Sequence, residues 1–377
     1  MKTKTNNTMI PITKPTLSQF KKYAPKFRRI IESGIITNGP NVKKFEEEVG
    51  KYVGSKYCVA VSSCTSGLIL VLKGLNLKGE VILPSFTFSA SGHVVLWNNL
   101  IPIFADIKED TYEIDSASIE KLITPKTSAI LATHIFGNPC NVPILKKIAK
   151  KHHLKLIFDA AHALGSKKGN KKVGVFGDAE VFSCSPTKLL TTGEGGLIVT
   201  NNKELADFCR IGRNYGDDGS YDTKFNGLNA RMSEFHAVVG LESLKNLDWA
   251  VKSRNEIAKY YKAGLAEIDP DLVFQKIMPG NVSTYKDFSV LIDPKKSGYH
   301  RDELDKFLSA KNIITKKYFY PPLHQQQTYL KANCRCDKDL SVTNMVSGNV
   351  LSLPLFSHIS RAEADTVLRA IKKFYDR

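Results

Sequence analysis

The apolar positions of this chain fall into two rhythms. Short runs that are apolar almost throughout, "YCVAVSS" (57–63), "EVILPSF" (80–86), "IPIFADI" (101–107), "SAILATHIF" (128–136), "LKLIFDAA" (154–161), "AEVFSCS" (179–185) and "GGLIVTN" (195–201), recur along the first 200 residues. Between them lie segments at 41–53, 65–75, 89–98, 142–152 and 203–213 whose apolar residues return every three or four positions. Strands covered on both faces need the first pattern, and amphipathic helices give the second. The alternation predicts an α/β fold, with a large domain over 10–250 built on a mainly parallel seven-stranded sheet between helices.

After a long helical stretch at 231–268 the rhythm changes to an isolated strand, "DFSVLID" (287–293), a helix at 301–311, and helices near 342–350 and 361–375. This predicts a smaller C-terminal α+β domain over 251–377. A chain of 377 residues suits one large unit plus a smaller one.

Composition adds exclusions. Apolar content of 42% is that of an ordinary cored protein, and no continuous apolar span of membrane length occurs. The start, "MKTKTNNTMIPITKPT", is basic but is followed by no apolar stretch, so no signal peptide is expected and the protein is expected in the cytoplasm. Lys plus Arg number 54 against 37 Asp plus Glu, a net +17. That charge is spread along the chain and comes with no nucleic-acid-binding module, so a solvated basic surface that attracts small anions is the better reading than a DNA-binding regulator. The seven cysteines form no disulfide framework. Cys334-Arg335-Cys336 has no second Cys or His pair at zinc spacing and reads as a surface loop, so no metal site is expected.

In sheets of this kind ligands bind beyond the carboxyl ends of the strands. Four features stand there. "SSCTSGL" opens a helix whose free N–H groups suit a phosphate or simply carry an N-cap. Asp159 ends the apolar run Leu156-Ile157-Phe158, where it needs either a structural salt bridge or a ligand's donor. Ser183 ends the sixth run, and Lys188 follows in "CSPTKLLTTGEGG". Phe88, after the second run, is either core or the cover of a ligand ring. The glycines follow the lysine, the reverse of the order a nucleotide P-loop needs. Together a helix N-terminus, a buried carboxylate, a hydroxyl and a lysine match what pyridoxal 5'-phosphate requires: an amine for its aldehyde, a carboxylate for its ring nitrogen, and donors for its phosphate.

The ordered segments "GIITNGPNVKKFEEEVGKYVG", "VSSCTSGL", "EVILPSFTFSAS", "HIFGNP", "LIFDAAHALGS", "FGDAEVFSCSPTKLLTTGEGGLIVT", "RNYG" and "GLNARMSEFHAVVGLESL" resemble the DegT/DnrJ/EryC1/StrS family of nucleotide-sugar aminotransferases. The resemblance implies an aspartate-aminotransferase-like, fold-type I protein working as a homodimer with shared active sites. It implies Lys188 as the Schiff-base lysine and Asp159 as the partner of the ring nitrogen. Phe88 would stack on the ring, Thr65, Ser66 and Ser183 would hold the phosphate, and His162 would sit beside the ring. Asn229 would reach the neighbouring subunit's phosphate. Thr37, Asn38, Gly39, Ser185, Tyr320 and His324 would face the sugar nucleotide.

One branch of the family has histidine in place of the lysine and dehydrates its substrate; this chain keeps Lys188, which favours transamination. Ser185 and Ala230 stand where aromatic residues are common in the family, so the sugar is not fixed by the resemblance. The expected reaction moves an amine from an amino acid, L-glutamate, to a nucleotide-linked keto-deoxysugar and releases 2-oxoglutarate. A sugar dehydratase or a keto-cyclitol aminotransferase of the same fold are the alternatives.

Overall fold

A computed structural model describes residues 9–377; the basic residues 1–8, part of the stretch searched for a signal peptide, lie outside the described residues. The seven apolar runs are strands β1 (Tyr57–Val61), β2 (Glu80–Pro84), β3 (Ile101–Ala105), β4 (Thr127–Thr133), β5 (Lys155–Asp159), β6 (Ala179–Ser183) and β7 (Gly196–Thr200). Later in the chain come β8 (Val273–Phe274), β9 (Phe288–Leu291), β10 (Arg335–Cys336) and β11 (Val350–Leu353).

The large sheet has eight strands rather than the expected seven, in the order β1-β7-β6-β5-β4-β2-β3-β10. The eighth is β10, which pairs parallel with β3, so the Cys-Arg-Cys segment is a short edge strand and not a loop. Only two residues long, it carries no periodic signal, and its pairing is set by a distant edge. β7 alone runs antiparallel to its neighbours β1 and β6; every other pairing in this sheet is parallel.

Alternation along the strands divides the core. Ile82, Ile130, Phe158, Phe182 and Val199 face one apolar cluster, while Val81, Leu83, Leu131, Ile157, Val181 and Ile198 face another across the sheet. Both faces are dry, which is why these runs read as apolar throughout. A third cluster, containing Tyr261, Leu265, Phe288, Val290, Leu351 and Phe374, is built from late residues around β8, β9 and β11, and Ile10 joins it from the other end of the chain.

The expected single helix over 231–268 is two, Glu234–Leu244 and Leu247–Ile268. The break falls at Asn246, whose side-chain amide bonds back to the Glu242 carbonyl at 3.3 Å, a local competitor of the helical ladder. No helix among the described residues is long and apolar enough to cross a membrane.

Candidate functional site

The ends of β4, β5 and β6 open into a cavity of ≈ 380 Å³. The helix Cys64–Gly74 points its N-terminus at it. Ser63 caps that helix in a reciprocal box with Ser66: the Ser63 hydroxyl accepts from Ser66 N–H at 3.0 Å, and the Ser66 hydroxyl accepts from Ser63 N–H at 3.1 Å. The box leaves the first-turn N–H groups of Cys64 and Thr65 without intrahelical acceptors, a ready cradle for an anion. Gly196 lets β7 pass beneath this turn, since a Cβ there would lie 2.4 Å from the Ser63 carbonyl carbon. Gly193, at φ +91, supplies the left-handed bend that carries the chain from Lys188 back into the sheet.

Asp159 is 4% exposed, and no lysine or arginine comes within ion-pair distance of it among the described residues. The structural salt bridge is therefore not made. Its Oδ2 accepts from the Ser91 hydroxyl at 2.6 Å and its Oδ1 from the Ala161 N–H at 3.0 Å. Ser91 is in turn tied to Thr87, and Thr87 to Thr133, at 3.0 and 3.2 Å. Two bonds leave a carboxylate with acceptor capacity to spare, and here that capacity borders the cavity.

Lys188 follows β6 on a turn closed by its own N–H to the Ser185 carbonyl at 3.0 Å. Its ammonium has no carboxylate within ion-pair distance among the described residues. Burial first, and then the repulsion of the Lys286 ammonium, hold its pKa down to about 8. Burial and the same two lysines keep His162 well below the usual histidine range. Its Nδ1 accepts the Phe136 N–H at 3.2 Å, which assigns the neutral ring's proton to Nε2. The ring lies nearly parallel to those of Phe136 and Phe319.

The cavity brings together Thr65, Phe88, Asp159, His162, Ser183, Ser185 and Lys188 of the residues expected from sequence. Phe88 is 57% exposed, so it is not core. Ser66 does not line the cavity; its hydroxyl is spent in the capping box. Thr37, Asn38, Gly39, Asn229, Tyr320 and His324 also lie off this chain's own cavity. Thr37 and Asn38 bond to the Met232 carbonyl, and Gly39 N–H to Glu234. Asn229 is exposed and accepts from Arg231; His324 is tied to Ser85 at 2.7 Å.

Sequence reasoning missed one wall. Lys286 and Asp287, just before β9, and Tyr318 and Phe319 all line the cavity. A charged pair abutting the apolar run "FSVLI" is the same kind of signal that singled out Asp159. Arg254, fully buried in the helix Leu247–Ile268, holds that wall by donating to the Tyr285 and Lys286 carbonyls at 3.0 and 3.1 Å and to the Ser357 hydroxyl at 3.1 Å. Among the described residues no cluster of His, Cys, Asp and Glu could hold a metal. An amine free of any ion pair, a buried carboxylate with no cation, a neutral imidazole donor and a helix N-terminus suit a phosphorylated heterocyclic aldehyde far better than a metal ion.

Comparison with known proteins places the whole chain among relatives. The chain is 34% identical over 364 residues to the dTDP-4-amino-4,6-dideoxy-D-glucose transaminase of Escherichia coli, covering 94% of this chain and 96% of that protein. It superposes with a TM-score of 0.92 and 33% identity on DesI, solved with its TDP-sugar product, over 98% of this chain and 93% of the other. It also superposes on DesV from S. venezuelae, solved with a ketimine intermediate, with a TM-score of 0.88 and 30% identity over 98% and 99% of the two chains. A family profile matches residues 19–372, and the chain belongs to the DegT/DnrJ/EryC1/StrS aminotransferase family.

Proposed function

We propose that the protein is a pyridoxal-phosphate-dependent transaminase that moves the amine of L-glutamate to a nucleotide-linked keto-deoxysugar. The observation that carries this reading is the pair formed by Asp159, buried without a cation, and Lys188, half-buried without an anion, in one cavity. Either group alone at such a site costs free energy, and each is what the cofactor requires.

When bound, pyridoxal phosphate supplies an electron sink that acidifies the donor's Cα–H. In this reading Asp159 holds the ring nitrogen protonated, and the Ser91 hydroxyl fixes its carboxylate. Thr65, Ser183 and the N–H groups of Cys64 and Thr65 take the phosphate, Phe88 covers one ring face, and the Nε2–H of His162 donates beside the ring. Lys188 anchors the aldehyde, and as a free amine it moves the proton at the donor's Cα. A pKa of about 8 leaves part of its population unprotonated at neutral pH.

The active unit of this reading is a homodimer. Thr37 to Gly39 are fastened to Met232 and Glu234, and Asn229 to Arg231, but all four lie off their own cavity, which suits them to complete a neighbour's. The basic surface would draw in the anionic substrate.

Reduction of the cofactor-saturated protein with borohydride, followed by peptide mapping, is expected to tag Lys188; an unmodified Lys188 in saturated protein overturns the mechanism. Incubation with L-glutamate and a panel of nucleotide keto-sugars is expected to yield 2-oxoglutarate in proportion to amino sugar. Amino-free products would indicate dehydration instead.

A further inference from the structure

The cavity holds a second lysine to which the reaction has so far assigned no task. Lys286 is 4% exposed and lines the cavity. Its ammonium donates to Asp287 Oδ1 at 2.8 Å and lies 5.7 Å from the centre of the Tyr318 ring. An ammonium has three N–H donors, and no other acceptor among the described residues takes one. The group is held in place: its own N–H is bonded to the Phe136 carbonyl at 2.9 Å, and Arg254 clasps the carbonyls of Tyr285 and Lys286.

An α-amino acid that presents its amine to the reacting centre necessarily carries a carboxylate on the same carbon, and that charge needs a partner once water is excluded. The donors of the Cys64 helix turn belong to the phosphate in the proposed reading. Lys188 must be free to move a proton. His162 is neutral. Lys286 is the one remaining cation among the described residues that line the cavity.

We propose that Lys286, oriented by Asp287 and Arg254, is the docking group for the α-carboxylate of the amino donor. The inference rests on the transaminase reading of the site. Asp287 makes the pair nearly neutral when no donor is present, so a buried charge does not stand uncompensated between turnovers. The arriving carboxylate completes the ammonium's hydrogen bonds and leaves the Lys286 backbone where it was, a preorganised contact.

The test separates the two half-reactions of the holoenzyme by the cofactor's absorbance in stopped flow. L-Glutamate is mixed with the aldehyde form, and the keto-sugar nucleotide that the wild type accepts best is mixed with the aminated form. For Lys286→Met the half-saturating concentration of L-glutamate is expected to rise about tenfold or more, the loss of one charge-assisted contact, while that of the sugar nucleotide stays within about twofold. Lys286→Arg keeps the charge and is expected to recover most of the glutamate affinity, which also guards against a variant that misfolds. An unchanged glutamate dependence, an equal rise in both half-reactions, or a rise for the sugar nucleotide alone overturns the assignment. A wild-type protein that responds to no amino acid at all overturns the transaminase reading instead, so the two failures are distinguishable.

Discussion

Two lysines line the same cavity and are held in opposite ways. Lys188 stands on a turn between β6 and β7 with no carboxylate at ion-pair distance, and burial brings its pKa down to about 8. Lys286 stands before β9 with Asp287 at 2.8 Å and its backbone clasped by Arg254. The difference teaches that burial alone does not decide what a lysine does. Without a partner, desolvation disfavours the charged form of Lys188, as a base requires; Lys286 has its ammonium fixed against a carboxylate, as an electrostatic contact requires.

The sharpest way to break this contrast is to remove the base. Lys188→Ala is expected to lower turnover by about a thousandfold or more, with a melting temperature close to that of the wild type, because a turn lysine contributes little to the core. A fall in turnover matched by a collapse in melting temperature would turn Lys188 into a structural residue. Next in size is Asp159→Asn, which keeps the shape beside Ser91 but removes the charge. It is expected to cost about a hundredfold in the rate of both half-reactions while pyridoxal phosphate still binds, measured by absorbance titration and stopped flow.

The smallest expected effect concerns the dialogue between the two lysines. Uptake of pyridoxal phosphate by the apoprotein needs the unprotonated Lys188, so its rate is expected to rise with pH and level off above about 8. In Lys286→Met the repulsion is gone, Lys188 holds its proton more tightly, and the inflection moves to higher pH; an inflection that does not move means the two charges do not interact. The same depressed pKa makes the unfolded apoprotein bind more protons than the folded one between about 8 and about 10.4. Across that window this residue therefore adds to stability as pH rises.

Much of the site was written locally. The strands of the large sheet except β10, and Asp159, Ser183 and Lys188 beyond their ends, announce themselves because a polar residue closing a doubly covered apolar run has to be accounted for within a few positions. The opposite wall was not readable in this way. Lys286 and Asp287 reach the cavity through β9, which packs in the third core, Tyr318 and Phe319 through a separate aromatic cluster with Phe86 and Phe136, and Ser91 reaches Asp159 from the first turn of a helix whose sequence looks merely small and apolar. β10 and the break at Asn246 were missed for a related reason. Each depends on one pairing or one side-chain bond that composition and periodicity average away.

The position of β7 has a further consequence, for the order in which the protein can assemble as it is made. β1 stands at the edge of the large sheet and, among the described residues, has β7 as its only neighbour there. During synthesis β1 and the helix that follows it must therefore wait, unpaired, until Gly196–Thr200 has left the ribosome. Lys188 is translated shortly before that strand, so the lysine and the N-terminal turn of the Cys64 helix are joined through one sheet only once β7 is in place. A nascent chain that ends before β7 would carry Asp159, Ser183 and Lys188 without the strand that joins β1 to β6.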